Sequence, residues 1–330
     1  MKRHKICKII FAILAVFLCV AFYELIGICI TYKKQPAVSD ATIKETQNIM
    51  SVAGRENTER AVIIEKNSQA LLERVRLIQN AKDEIILSTF AFKSDESGKL
   101  ILGALYDAAD RGVHVRILVD GMESWIDMEG NPYFYGLSSH ENVEIKLYNK
   151  ANPLKPWKTM GRMHDKYLIA DGKIYILGGR NTYNYFLGDF PGHKNFDRDV
   201  LVVCDEPQKD NSVNQLLDYF ETIWKQEDCR YFHNSKKLAD RQSVKKAVLE
   251  LQKGYQQYFE VNKEKICDTD YADETFETEK ITLLSNPIHT GAKEPVVWYQ
   301  LGEYATGSTR SRAGDDSRHV LGRSDTEKLF

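Results

Sequence analysis

Six residues in one short stretch, MHDKYLIADGKIYILGGRN at positions 163–181, have types and spacing suited to phosphoryl chemistry: His164, Lys166, Asp171, Gly178, Gly179 and Asn181. An imidazole can act as nucleophile or base, an ammonium neutralises developing charge, and a side-chain amide donates hydrogen bonds. Phosphoryl transfer asks for those three services and little else. The stretch reads as a hairpin. Tyr167 to Ala170 and Lys173 to Leu177 are apolar runs of strand length, and Asp171-Gly172 between them is a turn signal. On an extended chain His164 and Lys166, two apart, share a face. Gly178 and Gly179 let a backbone approach a ligand just before Asn181.

The flanking sequence supplies the elements that must position this hairpin. Ala61 to Ile64 is a short strand. Asn67-Ser68 caps a helix through Ala81 with Leu71, Leu72, Val75 and Ile78 on one face. Glu84 to Phe92 is a strand, and Ser97-Gly98 opens a helix carrying Leu100, Ile101, Leu105 and Ala108 and ending at Arg111-Gly112. Val113 to Val119 and Val143 to Tyr148 are further strands. After the hairpin, FDRDVLVVCDEP holds a strand, and Asn211 to Lys225 a helix with Leu216, Leu217, Phe220 and Trp224 buried. Strands alternating with helices predict an α/β fold with a largely parallel sheet covered on both faces. Trp125, Trp157 and the Tyr133–Phe134–Tyr135 cluster read as packing at the sheet edge, with a groove or lipid contact as the functional alternative. Lys150, Lys155 and Lys158 read as solvated lysines, with a local basic rim as the alternative.

The pattern H-x-K, four residues, D, six residues, G-G-x-N resembles the HKD motif of the phospholipase D superfamily, with every motif position present. The run AKDEIILSTFAF…GKLILGALYDAADRGVHVRILVD is similar to the N-terminal part of a phospholipase D domain. This resemblance implies a phospholipase D-like fold, a mostly parallel sheet flanked by helices. It also implies a two-step phosphodiester displacement: His164 attacks phosphorus and forms a phosphohistidine, Lys166 and Asn181 hold the non-bridging oxygens, and Gly178 and Gly179 shape the turn. Asp171, within the catalytic motif, is expected to order the hairpin rather than touch substrate. In the family, an acid at the start of the following strand, eight residues before a proline, orients the motif histidine. Asp199 fits that spacing ahead of Pro207, and Asp197 is the nearby alternative. No metal and no cofactor are implied.

The family's bilobal members carry two such motifs, and a histidine from the second handles the leaving-group proton. Of eight histidines here, only His164 begins an H-x-K. Three outcomes follow: a homodimer, a partner protein that supplies the second motif, or an incomplete enzyme. The substrate is a phosphodiester, and the expected function is phospholipase D-like hydrolysis or cardiolipin synthase-like transfer on phospholipids. A nuclease of the same superfamily and a phosphate-binding but inactive module are the alternatives.

Residues 9–32 are apolar except for Glu24 and Thr31, long enough to cross a bilayer. Lys2, Arg3, Lys5 and Lys8 precede the segment, and Lys33-Lys34 follow it. An uncleaved single-pass anchor in the cell membrane is expected, with the domain outside; a signal peptide is the competing reading. The remaining divisions are a basic segment at 1–8, a linker at 33–60 and the phospholipase D-like domain at 61–228. A connector with the incomplete start of a second such domain is expected over 229–307, including an amphipathic helix within 243–259 and a strand at 281–284. A disordered tail is expected at 308–330. A net charge of −2 argues against non-specific nucleic-acid binding through bulk charge. The six cysteines show neither zinc spacing nor a disulfide framework.

Overall fold

The computed structural model describes residues 2–33, 59–150, 152, 154–158, 161–207, 211–278, 281, 283 and 285. The linker expected at 33–60, most of the second-domain start beyond 278, and the 308–330 tail therefore lie largely or wholly outside the described residues. Helix α1 (Lys2–Lys33) contains a span, His4–Ile30, apolar and long enough to cross a membrane. Its side chains are almost all exposed, as an apolar helix with no protein partner over most of its length must be.

The remaining described elements build one sheet and two helical layers. In chain order these are β1 (Glu59–Ile64), α2 (Asn67–Asn80), β2 (Glu84–Thr89), α3 (Glu96–Asp110), β3 (His114–Asp120), α4 (Gly121–Asp127), α5 (Pro132–Ser138) and β4 (Val143–Tyr148). They continue with β5 (Tyr167–Ala170), β6 (Ile174–Gly178), β7 (Asp199–Cys204), α6 (Ser212–Trp224), β8 (Cys229–Tyr231), α7 (Gln242–Cys267) and β9 (Phe276–Glu277). The strand order is β8-β4-β3-β2-β5-β6-β7-β1-β9.

The period of two sorts side chains between the faces. Ile85, Leu87, Val115, Ile117, Val119, Leu168 and Ile176 meet the layer formed by α2, α3, α5 and α7. Their neighbours Ile86, Leu118, Tyr167, Ile169 and Tyr175 meet α6 through Val213, Leu216, Phe220 and Ile223. Covered on both faces, these strands read as nearly continuous apolar runs.

The sheet is mixed, where the alternation of strands and helices predicts a largely parallel one. Only β2–β3 and β3–β4 are parallel, the two pairs joined by helical crossovers. Between β4 and β5 the described residues hold a single 3-10 turn, Pro156–Lys158, and no crossover helix. The chain therefore re-enters the sheet at the end where β4 left it, and β5 runs antiparallel to β2. The tight turn after β5 makes β6 antiparallel as well, and β7 and β1 continue the alternation. Asp171 and Gly172 have φ of 52° and 62°, the positive pair that a type I′ hairpin turn needs.

Residues 229–278, expected as a connector, are part of the first domain. Strand β8 pairs with β4, β9 pairs with β1, and α7 packs against α2, α3 and α5 through Val244, Ala247, Leu251 and Tyr255. A Cβ on Gly103 of α3 would lie 2.7 Å from the Leu251 carbonyl oxygen, so the α3–α7 approach depends on that glycine. Ile281 and Leu283 are not in a strand; they pack against the α6-side core.

Candidate active site

The described chain brings its functional residues to one end of the sheet, where the parallel strands β2 and β3 finish and β5 and β7 begin. Sheets of this kind place ligands beyond their strands' carboxyl ends. The anchor of this end is Asp120, the last residue of β3 and fully buried. Its carboxylate caps α4 by accepting from Met122 N and Glu123 N (3.0 and 3.2 Å). It also accepts from Met163 N at 3.1 Å and from Arg162 Nε at 2.8 Å. Arg162 reaches Glu123 as well, at 2.9 Å. The backbone immediately before His164 is thus fixed from both sides.

His164 is exposed to solvent, with its ring edge-on to Phe90 at 4.7 Å. Partial burial, then the charges of Lys166 and Arg162, hold its pKa below the ordinary histidine value, against the opposing pull of Asp120. The imidazole is therefore neutral near pH 7, the form that can attack phosphorus. Lys166 is buried beneath it, its Nζ donating to the His164 carbonyl at 2.6 Å and lying 5.4 Å from the centre of the Phe90 ring. Burial lowers its pKa to about 8, and Asp165 and Asp197 keep it from falling further. Both residues precede β5, on an extended lead-in rather than on the strand itself. The shared face expected from their spacing survives, since both side chains meet Phe90.

Asn181 lies against the residue after Phe90. Its Oδ1 accepts from Ala91 N at 3.1 Å, which orients the amide and leaves Nδ2 as a donor. The Phe90–Ala91 corner at the end of β2 thus gathers His164, Lys166 and Asn181. Among the described residues no group of three His, Cys, Asp or Glu side chains is arranged to hold a metal ion.

Gly178 and Gly179 are needed for close approach, but to the chain's own acids. A Cβ on Gly178 would lie 2.0 Å from Asp199 Oδ1 and 2.5 Å from the Arg198 carbonyl oxygen. A Cβ on Gly179 would lie 2.0 Å from Asp197 Oδ2. Asp199 does not contact His164. It is fully buried, within ion-pair distance of Arg74 (2.9 Å) and Arg180 (3.3 Å), though neither of its oxygens receives a well-directed hydrogen bond. Arg180, also fully buried, donates to Ile64 O, Glu65 O and Asn67 Oδ1. The expected orienting contact from Asp199 to His164 is replaced by a buried ion cluster that ties β1, α2, β6 and β7 together. Asp197, after Asp165, supports the charge of Lys166.

Asp171 stands at the other end of β5 from His164. Its carboxylate accepts from Lys82 N, Asp83 N and Glu84 N at 2.8–3.2 Å, so it organises the α2–β2 turn and takes no place at the site. Three residues of the site were not singled out from the sequence: Asp120, Arg162 and Phe90. Arg162 carries a readable signal, two residues before His164 on an extended chain and so on the same side. Asp120 carries none, because strand-end acids are common.

The family described as cardiolipin synthase, phospholipase D-like domain matches residues 75–224. A Helicobacter pylori protein described only as uncharacterized is 34% identical over 192 residues, covering 54% of this chain and 35% of that protein. Cardiolipin synthase C of Escherichia coli is 29% identical over 175 residues, 49% of this chain and 34% of that one. The match therefore spans about a third of the length of these curated relatives. Among solved structures, NucT from Helicobacter pylori is similar over 53% of this chain and 99% of its own, at 17% identity and a TM-score of 0.41. The matched region contains the whole H-x-K…D…G-G-x-N pattern and the strands that carry it, so residues 75–224 are a domain of the phospholipase D superfamily.

Proposed function

We propose that the chain is a membrane-anchored phosphodiesterase or phosphatidyltransferase acting on phospholipids through a phosphohistidine at His164. The observation that supports this most is the pairing of an exposed, neutral imidazole with a buried ammonium and an oriented amide donor at Phe90–Ala91. In the first step a ring nitrogen of His164 forms a bond to phosphorus while the bond to the leaving alcohol breaks. Lys166 and Asn181 donate to the non-bridging oxygens. In the second step water or an alcohol attacks phosphorus and releases His164. The leaving alcohol takes up a proton and the incoming nucleophile loses one, so a second acid–base group is needed. A second copy of this chain, or a partner with its own motif, supplies it in this reading. Asp120 and Arg162 act by holding the backbone ahead of His164.

The apolar helix at the N-terminus places the domain where phospholipid is concentrated. The lysines and arginine in the first turns of that helix favour a cytoplasmic N-terminus and an extracytoplasmic domain; protease accessibility on intact cells tests this topology. The full chain in detergent is expected to turn over phosphatidylglycerol, and H164A to lose that turnover. Turnover of single-stranded DNA with phospholipid untouched would replace the lipid reading by a nuclease one.

A second reading rests on the single H-x-K and the partial span of the relatives: a phosphate-binding half that is inactive alone. Light scattering separates the two. A dimer that turns over substrate supports the first, and an inactive folded monomer the second.

A further inference from the structure

A cavity of about 190 Å³ lies beside the β4–β8 edge of the sheet, and His164 is not among its lining residues. Lys150, Lys155, Lys158 and Arg230 line it, and Asp228 is the one acid among the lining residues. Lys158 is paired with Asp228 at 2.7 Å. Lys150, Lys155 and Arg230 are exposed, and Lys150 is near enough to Glu129 to favour its charged form. The cavity is framed from within. Asn149, in the left-handed region at φ 49°, donates through Nδ2 to Lys158 O and Gly161 O, and its backbone N–H reaches Asp228 O at 3.0 Å.

The same loop rests on helix α1. Tyr23 Oη donates to Leu154 O at 3.0 Å, and Gly27 packs so close that a Cβ there would lie 2.5 Å from Pro156 Cγ. Gly27 is three residues from Ile30, the end of the apolar span, which is about 4.5 Å along a helix axis. On the reading of α1 as a membrane anchor, that level is the boundary between hydrocarbon and headgroups. Leu154 and Trp157, 77% and 44% exposed, sit in the loop at that boundary, where aromatic residues anchor and clustered lysines and arginines attract anionic headgroups. Exposed cations around a framed cavity, beside exposed apolar side chains, at the end of an apolar helix long enough to cross a membrane, match the chemistry of one ligand.

We infer that this cavity is a headgroup site for an anionic phospholipid, seating Leu154–Lys158 on the bilayer. The inference rests on the reading of α1 as a membrane anchor. The site takes the lipid phosphate with Lys150, Lys155 and Arg230, while acyl chains run beside Leu154, Trp157 and α1. The loop leads directly into Arg162 and His164, so a bound lipid also steadies the approach to the candidate active site.

The test uses the full chain in nanodiscs of phosphatidylcholine with and without phosphatidylglycerol, followed by native mass spectrometry of the lipid retained. Wild type is expected to retain phosphatidylglycerol over phosphatidylcholine. The variant K150Q/K155Q/R230Q is expected to retain about tenfold less phosphatidylglycerol or lower, since each cation near an anionic surface contributes severalfold. The charge-keeping variant K150R/K155R is expected to retain it like wild type, which separates charge from misfolding. H164A is expected to keep the preference. Equal retention of both lipids by wild type, or unchanged retention by the glutamine variant, overturns the inference. Carbonate extraction reads the anchor separately. A released chain removes the anchor reading and the inference together, while an integral chain without lipid preference removes the inference alone.

Discussion

In the proposed reaction His164 and Lys166 divide the work of charge, and their surroundings set the pH at which each can do it. The imidazole must be neutral, and its pKa is lowered. The ammonium must be charged, and it loses its proton near pH 8. Turnover is therefore expected to fall as pH rises through about 8, with the acid limb lying below the ordinary histidine value. A kcat/KM profile that keeps rising above pH 8 contradicts this assignment. K166M should lose the alkaline limb and about 10²–10³-fold in kcat, the size of effect seen when one donor to a developing oxyanion is removed. Stability has its own pH dependence. Because the folded pKa of Lys166 is depressed, the unfolded chain binds more protons between about 8 and the ordinary 10.5. Stability from this group therefore rises with pH across that window, which urea unfolding at a series of pH values reads directly. Asp171 belongs to a different category. D171A removes the acceptor of three largely exposed backbone N–H groups and should cost about 1 kcal/mol, while turnover per folded molecule stays at the wild-type level. The motif spacing made all six residues legible in the sequence, but spacing alone could not separate those that meet at Phe90 from Asp171, a strand's length away.

At the scale of elements, the site end of the sheet is held by a buried ion cluster. Arg180 leaves β6 and reaches back to the end of β1 and the start of α2, with Asp199 of β7 beneath it. R180A removes those hydrogen bonds and leaves Asp199 with Arg74 alone, a loss of about 3–5 kcal/mol that thermal unfolding should detect. Gly178→Ala presses a methyl into the Arg198–Asp199 backbone and should cost about 1–3 kcal/mol. The hairpin and its turn were legible because alternation and Asp-Gly state them locally. The direction of β5 beside β2 was not, since it depends on a link without a crossover helix, and strand patterns carry no polarity. Asp199 was misread for a related reason. Its position in sequence fits an orienting acid, but burial between two guanidiniums is a property of the packed sheet.

At the scale of the molecule, the described residues form a phospholipase D-like domain and an apolar helix, Lys2–Lys33. The domain runs on through α7 and β9, beyond the boundary that sequence pattern placed at residue 228. The amphipathic face of α7 announced that the helix is covered, but not by what; only the groove between α2, α3 and α5 answers that. The aromatic residues divide in the same way. Phe134 and Tyr135 pack in the core, while Trp125 is 64% exposed. The proposed function rests on His164 becoming covalently phosphorylated, in a dimer or beside a partner. The most direct test is to quench the full chain in base during turnover of ³²P-labelled phosphatidylglycerol and map the label. One base-stable, acid-labile phosphopeptide containing His164 is expected, absent from H164A. A folded, substrate-turning chain with no such label, or with label on another residue, would contradict it.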